Sequence, residues 1–255
     1  MKLALLGYGR MGREVEAAAL RRGHEIAVKL DIDDNVGGAG MVAETFAGVD
    51  AAVDFTHADA VLENVAGATL LGVPLVIGTT GWDDRLEEVR ALVQSNGGAV
   101  VYGSNLSVGA NLFFRVVAHA ARLFDPFDEY DPWVFEHHHR LKVDAPSGTA
   151  LRLARLITDA SSRKDTLQAG NPAGAISQTA LHVASLRAGT AFGEHRVGFD
   201  GAADLIELTH TARGRQGFAD GAVLAAEWIV GRQGMFAFDD VLDDIVGGAS
   251  DDRGT

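Results

Sequence analysis

Within the seven residues from Glu136 to Lys142 the chain sets three histidines, an arginine and a lysine, reading EHHHRLK. Such a run could ligate a metal, form a solvated basic face, or clamp an anion and hand it protons. In an extended strand alternate side chains face opposite ways, so His137 and His139 share one side while Glu136, His138 and Arg140 share the other. Histidines at i and i+2 can hold a metal, but no acidic or histidine partner stands at a helical spacing nearby, and no metal is expected. Histidine is also a poor choice for mere solubility, because its proton moves near neutral pH. The continuation VDAPSGTA favours the third use. Asp144-Ala145-Pro146 closes the strand, and Ser147-Gly148-Thr149 opens a helix whose free N–H groups suit a carboxylate or phosphate. Lys142 and the histidines add positive charge and transferable protons beside it.

A second constellation opens the chain. GYGRMG places glycines at Gly7, Gly9 and Gly12 directly after an apolar run and before a helical pattern. That spacing fits the dinucleotide fingerprint: a tight turn, a close approach for the pyrophosphate, and helix–strand packing. Asp31 follows at the end of the next apolar run, 19 residues past Gly12, where an acid can accept hydrogen bonds from ribose hydroxyls. No arginine or lysine lies among Asp31–Asn35, so a 2′-phosphate would meet Asp31, Asp33 and Asp34. NADH is therefore favoured over NADPH, with Arg10 and Lys29 the cations closest at hand. GTTGW (from Gly78) and GSNLSVGAN (from Gly103) each follow a later apolar run, and taken singly each reads as an ordinary strand–helix turn.

The elements that must carry these groups fall into two styles. Lys2–Leu6, Glu25–Leu30, Ala51–Phe55, Pro74–Ile77 and Ala99–Tyr102 read as buried strands, with helices over Met11–Arg22, Asp59–Leu71 and Asp83–Ser95. Residues 33–48 read as loop. This alternation predicts an α/β architecture with a Rossmann-type parallel sheet. After Ser104 come a long helix (Val108–Phe124), a strand (Asp131–Arg140), a helix (Thr149–Ala160) and three consecutive β-runs between Thr179 and Ala212. Those predict an α+β domain with a mainly antiparallel sheet. The division expected is residues 1–107 for dinucleotide binding and 108–216 for substrate and oligomerisation. Residues 217–255 return as a helix (Phe218–Val230) packing on the first domain, with a frayed tail GGASDDRGT.

The whole chain has 255 residues, 47% hydrophobic, with a formal charge of −13. That balance excludes a nucleic-acid partner and an anionic membrane surface, and an anionic substrate needs a local basic cluster against the global field. There is no cysteine, hence no disulfide, thiolate metal site or thiol nucleophile. No apolar stretch reaches the ~20 residues of a spanning helix, and a cytoplasmic location is expected.

EHHHRLKVDAPSGTA is similar to the signature of the dihydrodipicolinate reductase (4-hydroxy-tetrahydrodipicolinate reductase) family, of form Glu-x-His-His-x-x-Lys-x-Asp-x-Pro-Ser-Gly-Thr-Ala. GYGRMG, GTTG, SNLSVG and HTARGRQGFADGA resemble the family's other landmarks in the same order, so the likeness spans essentially the whole chain. The resemblance implies His138 and Lys142 as proton donors, with His139, Gly148 and Thr149 contacting substrate. Cofactor contacts then fall on Gly7, Tyr8, Gly9, Arg10, Met11 and Gly12, on Asp31, on Gly78, Thr79 and Thr80, and on Gly103, Ser104, Asn105 and Leu106. His137 sits at the variable position. Leu141 stands where many relatives carry an aromatic or histidine, and Asp31-Ile32 where some pair an acid with arginine. A small dicarboxylate substrate, a nicotinamide cofactor (NADH or NADPH) and a homotetramer built through the second sheet are likewise implied. The competing readings are a dehydrogenase for another small dicarboxylate and a non-catalytic NADH sensor, neither of which needs His138, His139, Lys142 and Ser147–Thr149 together.

Overall fold

Short leucine-, valine- and alanine-rich runs open the computed structural model, which describes residues 1–251, with side chains through 248. The chain first lays down β1 (Lys2–Leu6), β2 (Glu25–Leu30), β3 (Ala51–Asp54), β4 (Leu75–Ile77) and β5 (Ala99–Tyr102). Between them run the helices α1 (Arg10–Arg21), α2 (Val61–Leu71) and α3 (Leu86–Asn96). All neighbouring strands pair in parallel, in the order β2-β1-β3-β4-β5. Because side chains alternate along a strand, Leu3 and Leu5 enter one core with Val15, Ala18 and Ala19 of α1. Ala4 and Leu6 enter the opposite core with Val65 of α2 and Val89 and Val93 of α3. Burial on both faces explains the apolar runs of β1, β3, β4 and β5, while the edge strand β2 keeps Glu25 and Lys29 exposed.

Next comes a second unit, residues 109–214. It comprises most of α4 (Val108–Phe124), then β6 (Asp131–His138), α5 (Gly148–Ala160), β7 (Thr166–Ala169), β8 (Ala180–Arg187), β9 (Gly193–Asp200) and β10 (Leu205–Ala212). Its sheet has the order β10-β9-β6-β8-β7. The β10–β9 and β9–β6 pairs are antiparallel, while β6–β8 and β8–β7 are parallel. The sheet is thus mixed rather than mainly antiparallel. The reason is α5: a helical crossover after β6 returns the chain in the same direction, and β7 and β8 join on that side. β7, with the sequence TLQA, is too short and polar to stand out. Phe113, Phe114, Val117, Leu153 and Ile157 of the helices pack on Val134, Leu181, Val183, Val197 and Phe199.

From residue 215 the chain rejoins the first unit. α6 (Gln216–Ile229) buries Ala219, Ala222, Val223, Ala226 and Ile229 in the core that holds Leu3 and Leu5. β11 (Gly234–Ala237) then adds a sixth parallel strand beside β5, and α7 (Phe238–Asp251) follows. Neither was expected from the sequence: GMFA is four residues long and glycine-led, and α7 carries two adjacent glycines that read as tail. The end of the tail expected to fray, residues 252–255, lies outside the described residues. No helix among the described residues is long and apolar enough to cross a membrane.

Candidate active site

In the first unit the order of strands reverses between β1 and β3, and their carboxyl ends open a crevice there. Gly7 turns the chain out of β1 with φ +85°, and a Cβ on it would lie 2.4 Å from the Phe55 carbonyl oxygen. A Cβ on Gly12 would lie 2.3 Å from the carbonyl oxygen of Gly7, so both glycines are demanded by the protein itself. Gly9 is different: nothing lies within 4 Å of its Cβ position, which leaves the approach open to a ligand. The N–H groups from Arg10 to Gly12 precede the first helical bond of α1, made by Arg13 N to Gly9 O at 3.3 Å. An anion is favoured in front of them.

Two clefts converge on that point. One, of about 510 Å³, is lined by Gly7, Gly9, Asp31, Thr56, Asp59 and Glu63 among others. The second, of about 420 Å³, brings Gly9, Arg10 and Met11 together with Gly78, Thr79 and Thr80. The two glycine loops, far apart in sequence, therefore meet. What fixes them is a group the sequence did not single out, the fully buried Asp54 at the end of β3. Its Oδ1 accepts from Thr56 N (2.8 Å), Thr56 Oγ1 (2.7 Å) and Thr79 Oγ1 (2.8 Å), and its Oδ2 accepts from Asn64 Nδ2 (2.9 Å). Thr79 spends its side chain on this knot. Asp31 Oδ1 accepts from Tyr8 N at 3.3 Å, tying the turn to the acid after β2. Lys29 lines neither cleft; it bonds Glu16 at 2.6 Å and Tyr8 Oη at 3.2 Å. The segment Gly103–Leu106 lines neither cleft; Leu106 is core, and Gly103 N donates to Ile77 O at 3.2 Å. Open space at Gly9, the N–H groups of α1 and an acid-walled cleft together fit a dinucleotide.

In the second unit the inward row of β6 runs Pro132, Val134, Glu136, His138, an apolar row ending in a carboxylate and an imidazole. The strand stops at His138, two residues short of the expected Arg140. His139 and Arg140 enter a turn, held through backbone N–H bonds to Ala191 O (2.8 Å) and Gly189 O (3.3 Å). His137 faces away from Glu136 and bonds the Ala188 carbonyl at 3.0 Å. Glu136 is fully buried, with Oε1 accepting from Ser147 N (2.9 Å), Ser185 Oγ (2.7 Å) and Arg187 Nη2 (2.7 Å). Its Oε2 faces His138 Nδ1 at 3.2 Å and His195 Nε2 at 3.7 Å. Burial pushes Glu136 up, but the facing His195, Ser147, Arg187 and Ser185 outweigh it and hold the carboxyl well below its usual range. His138 is held down to about 4, first by burial and then by the neighbouring Lys142, Arg187 and His195, with Glu136 opposing.

Beyond the turn, Lys142 Nζ pairs with Asp144 at 2.8 Å. Ser147 caps α5: its Oγ accepts from Ala150 N at 3.2 Å, and the first helical bond runs from Leu151 N to Ser147 O at 2.9 Å. That leaves the N–H groups of Gly148 and Thr149 at the helix start. The helix start at Gly148 and Thr149, His138, His139 and Lys142 thus belong to one stretch from the end of β6 to the start of α5. Ser185, Arg187 and His195 complete it, and no motif marks them. Alternation in β8 pairs Ser185 with Arg187, and in β9 Gly193 with His195, but only the strand register brings those pairs to Glu136.

The comparisons with known proteins agree over both units. The family model described as dihydrodipicolinate reductase, N-terminus, matches residues 1–106, and the one described as dihydrodipicolinate reductase, C-terminus, matches residues 109–242. The 4-hydroxy-tetrahydrodipicolinate reductase of Christiangramia forsetii is 36% identical over 96% of this chain and 99% of its own. That of Archaeoglobus fulgidus is 36% identical over 95% of this chain and all of its own. Among solved structures, dipicolinate-bound dihydrodipicolinate reductase from Paenisporosarcina sp. TG-14 superposes with a TM-score of 0.74 at 24% identity, covering 93% of this chain and 97% of that one. An amine dehydrogenase from Mycobacterium smegmatis shares the fold more loosely, with a TM-score of 0.58 at 12% identity and coverage of 94% and 95%. Matched in both halves and aligned nearly end to end with such relatives, the chain belongs to the dihydrodipicolinate reductase family.

Proposed function

We propose that this chain is an NAD(P)H-dependent oxidoreductase that reduces 4-hydroxy-tetrahydrodipicolinate to tetrahydrodipicolinate in the diaminopimelate route to lysine. The observation that carries this reading is the single stretch in which His138, His139, Lys142 and the N–H groups of Gly148 and Thr149 occur together. The start of α5 suits a substrate carboxylate, and His139 and Lys142 suit the remaining negative charge. The bound nicotinamide supplies a hydride to the conjugated cyclic imine left when the substrate loses water. Addition at one end of that system leaves an electron pair at the other, which takes a proton from His138 or Lys142. Their positive charge also stabilises the negative charge developing in the transition state. Burial holds His138 neutral near pH 7, and the negative charge of a dicarboxylate bound beside it would favour its protonated form.

Within this reading NADH is the favoured cofactor. The larger cleft carries Asp31, Asp59 and Glu63, no lysine or arginine among the described residues lines it, and Lys29 is engaged by Glu16. A 2′-phosphate would meet the carboxylates of Asp31, Asp59 and Glu63 there. Arg10, exposed at the start of α1, lines the smaller cleft. The same reading gives a homotetramer in the cytoplasm, assembled through the sheet face of the second unit that α5 leaves free. That face shows half-buried Trp133 and Phe135 of β6 beside exposed Leu186 of β8 and Leu205 of β10.

The test is loss of reduced-nicotinamide absorbance with substrate generated in situ from pyruvate and aspartate semialdehyde by the preceding synthase. NADH and NADPH are compared on the intact protein and on His138→Gln. Rapid oxidation that collapses in the variant is expected. Flat absorbance from folded, NADH-binding protein would sink the reading in favour of another dicarboxylate or a sensor role.

A further inference from the structure

Glu136 has two unequal oxygens. Oε1 takes three donors, Ser147 N, Ser185 Oγ and Arg187 Nη2, which fix the carboxylate plane. Oε2 is left as the open acceptor, and two imidazoles face it: His138 Nδ1 at 3.2 Å and His195 Nε2 at 3.7 Å. The rings meet edge to face with centroids 5.1 Å apart. Neither contact is an aligned hydrogen bond; Glu136 Oε2 and the Nδ1 atoms of both rings are buried without a hydrogen-bond partner. Ser147 Oγ lies 3.3 Å from His195 Nε2. A proton on His195 Nδ1 would be a buried donor with no acceptor, so the Nε2–H tautomer is preferred. Its N–H then lies between Ser147 Oγ and Glu136 Oε2. On the far side, Gly193 makes room for His138: a Cβ there would stand 2.9 Å from His138 Nε2.

We propose that His195 is a positioning residue for His138: its Nε2–H draws on the same Glu136 oxygen, prevents that oxygen from binding His138 Nδ1 in full, and keeps the His138 proton available for transfer. The proposal rests on the reading of His138 as a proton donor. The charged and titratable groups facing His138 are Glu136 on β6, His195 on β9, Arg187 on β8, and Lys142 with its partner Asp144 in the turn; His210 on β10 faces His195. Glu136 is the carboxylate that touches the ring, so how firmly Oε2 engages Nδ1 governs the proton. Sharing one oxygen between two rings weakens that engagement. The same three residues have donor atoms within 4.8 Å of one another, as metal ligands would. Arg187, 2.7 Å from the same carboxylate, places a fixed cation against any dication, which favours the proton-sharing arrangement.

The experiment is an NMR titration of the histidine ring nitrogens in the whole protein without substrate, alongside the pH profile of kcat/KM. In His195→Phe the competing donor is gone, and the His138 midpoint rises by about one pH unit. In His195→Gln the amide replaces the Nε2–H donor and the midpoint stays near the wild-type value. Ser147→Ala removes the other acceptor of that N–H, turning it wholly to Glu136, and the His138 midpoint falls; this variant keeps the test decisive if the phenylalanine variant does not fold. The limb of the kcat/KM profile on which activity falls as pH rises, where the donor proton is lost, moves with each midpoint. Equal shifts in His195→Gln and His195→Phe, or none in either, would overturn the proposal. So would a wild-type midpoint moved by a chelator, which marks a metal site instead. A midpoint that moves while the kinetic profile stays fixed leaves the tuning standing and overturns the proton-donor reading.

Discussion

His138 carries the clearest consequence of burial on a single side chain. A histidine in the unfolded chain titrates near 6.5, whereas here it is held down to about 4. Between those values the unfolded chain holds the extra proton, so stability is complete above pH 6.5 and falls as the pH drops toward 4. The loss from this residue is on the order of 2 to 4 kcal/mol at most. Glu136 works in the same direction: its lowered pKa contributes stability above the ordinary carboxylate value that is lost as the pH falls below it. Urea midpoints measured from pH 7 to 4 should fall, and His138→Gln should flatten the upper part of that fall. The same variant should lose about 10²- to 10⁴-fold in kcat, the usual contribution of a positioned proton donor. Binding of a dicarboxylate should draw in a proton near pH 7, read as a binding heat that changes with the ionisation heat of the buffer. Strand alternation alone puts Glu136 and His138 on one face, so this pair was legible in the sequence. Arg187 and His195 were not, because their place beside Glu136 depends on which residues of β8 and β9 pair with β6.

At the scale of elements, periodicity exposed what buries apolar surface and hid what does not. β1, β3, β4 and β5 are near-continuous apolar runs, which mark strands covered on both faces, whereas β2 at the sheet edge leaves Glu25, Ala27 and Lys29 exposed. β7 and β11 are four residues each and half polar or glycine-led, so they join sheets through backbone pairing that leaves little trace in side chains. The parallel side of the second sheet was missed for the related reason that β7 conceals the crossover after α5. The turn from β1 to α1 was fully legible, and it is stringent. Gly7→Ala adds a Cβ 2.4 Å from the Phe55 carbonyl oxygen at φ +85°, a substitution expected to cost at least 1 to 3 kcal/mol. A lowered melting temperature with weakened NADH binding, followed by fluorescence titration, would show it. Asp31→Ser leaves the fold in place and removes one wall charge; the NADH-to-NADPH preference in kcat/KM should shrink, by roughly tenfold if one repelled charge is worth about 1.4 kcal/mol. The Asp54 knot behind that cleft had no sequence signature, since one aspartate after a strand says nothing of the four donors that converge on it.

At the scale of the molecule, the division into two units follows from a change of style that the sequence displays near residue 108, and the net charge of −13 confines anion binding to local clusters. The free face with Trp133 and Phe135 predicts assembly: Phe135→Asp should lower the mass found by light scattering while leaving the monomer's far-ultraviolet spectrum intact. The first unit is discontinuous, residues 1–108 completed by those from 215 onward. During synthesis its strands β1 to β5 leave the ribosome long before α6, whose alanines, valine and isoleucine cover the face holding Leu3 and Leu5. The intervening 106 residues, 109–214, take roughly 5 to 20 s to make. Over that interval the nascent sheet keeps one apolar face open, while the contiguous second unit can finish folding. The half that begins first is thus the half that closes last, and until α6 emerges it is a natural client for chaperones.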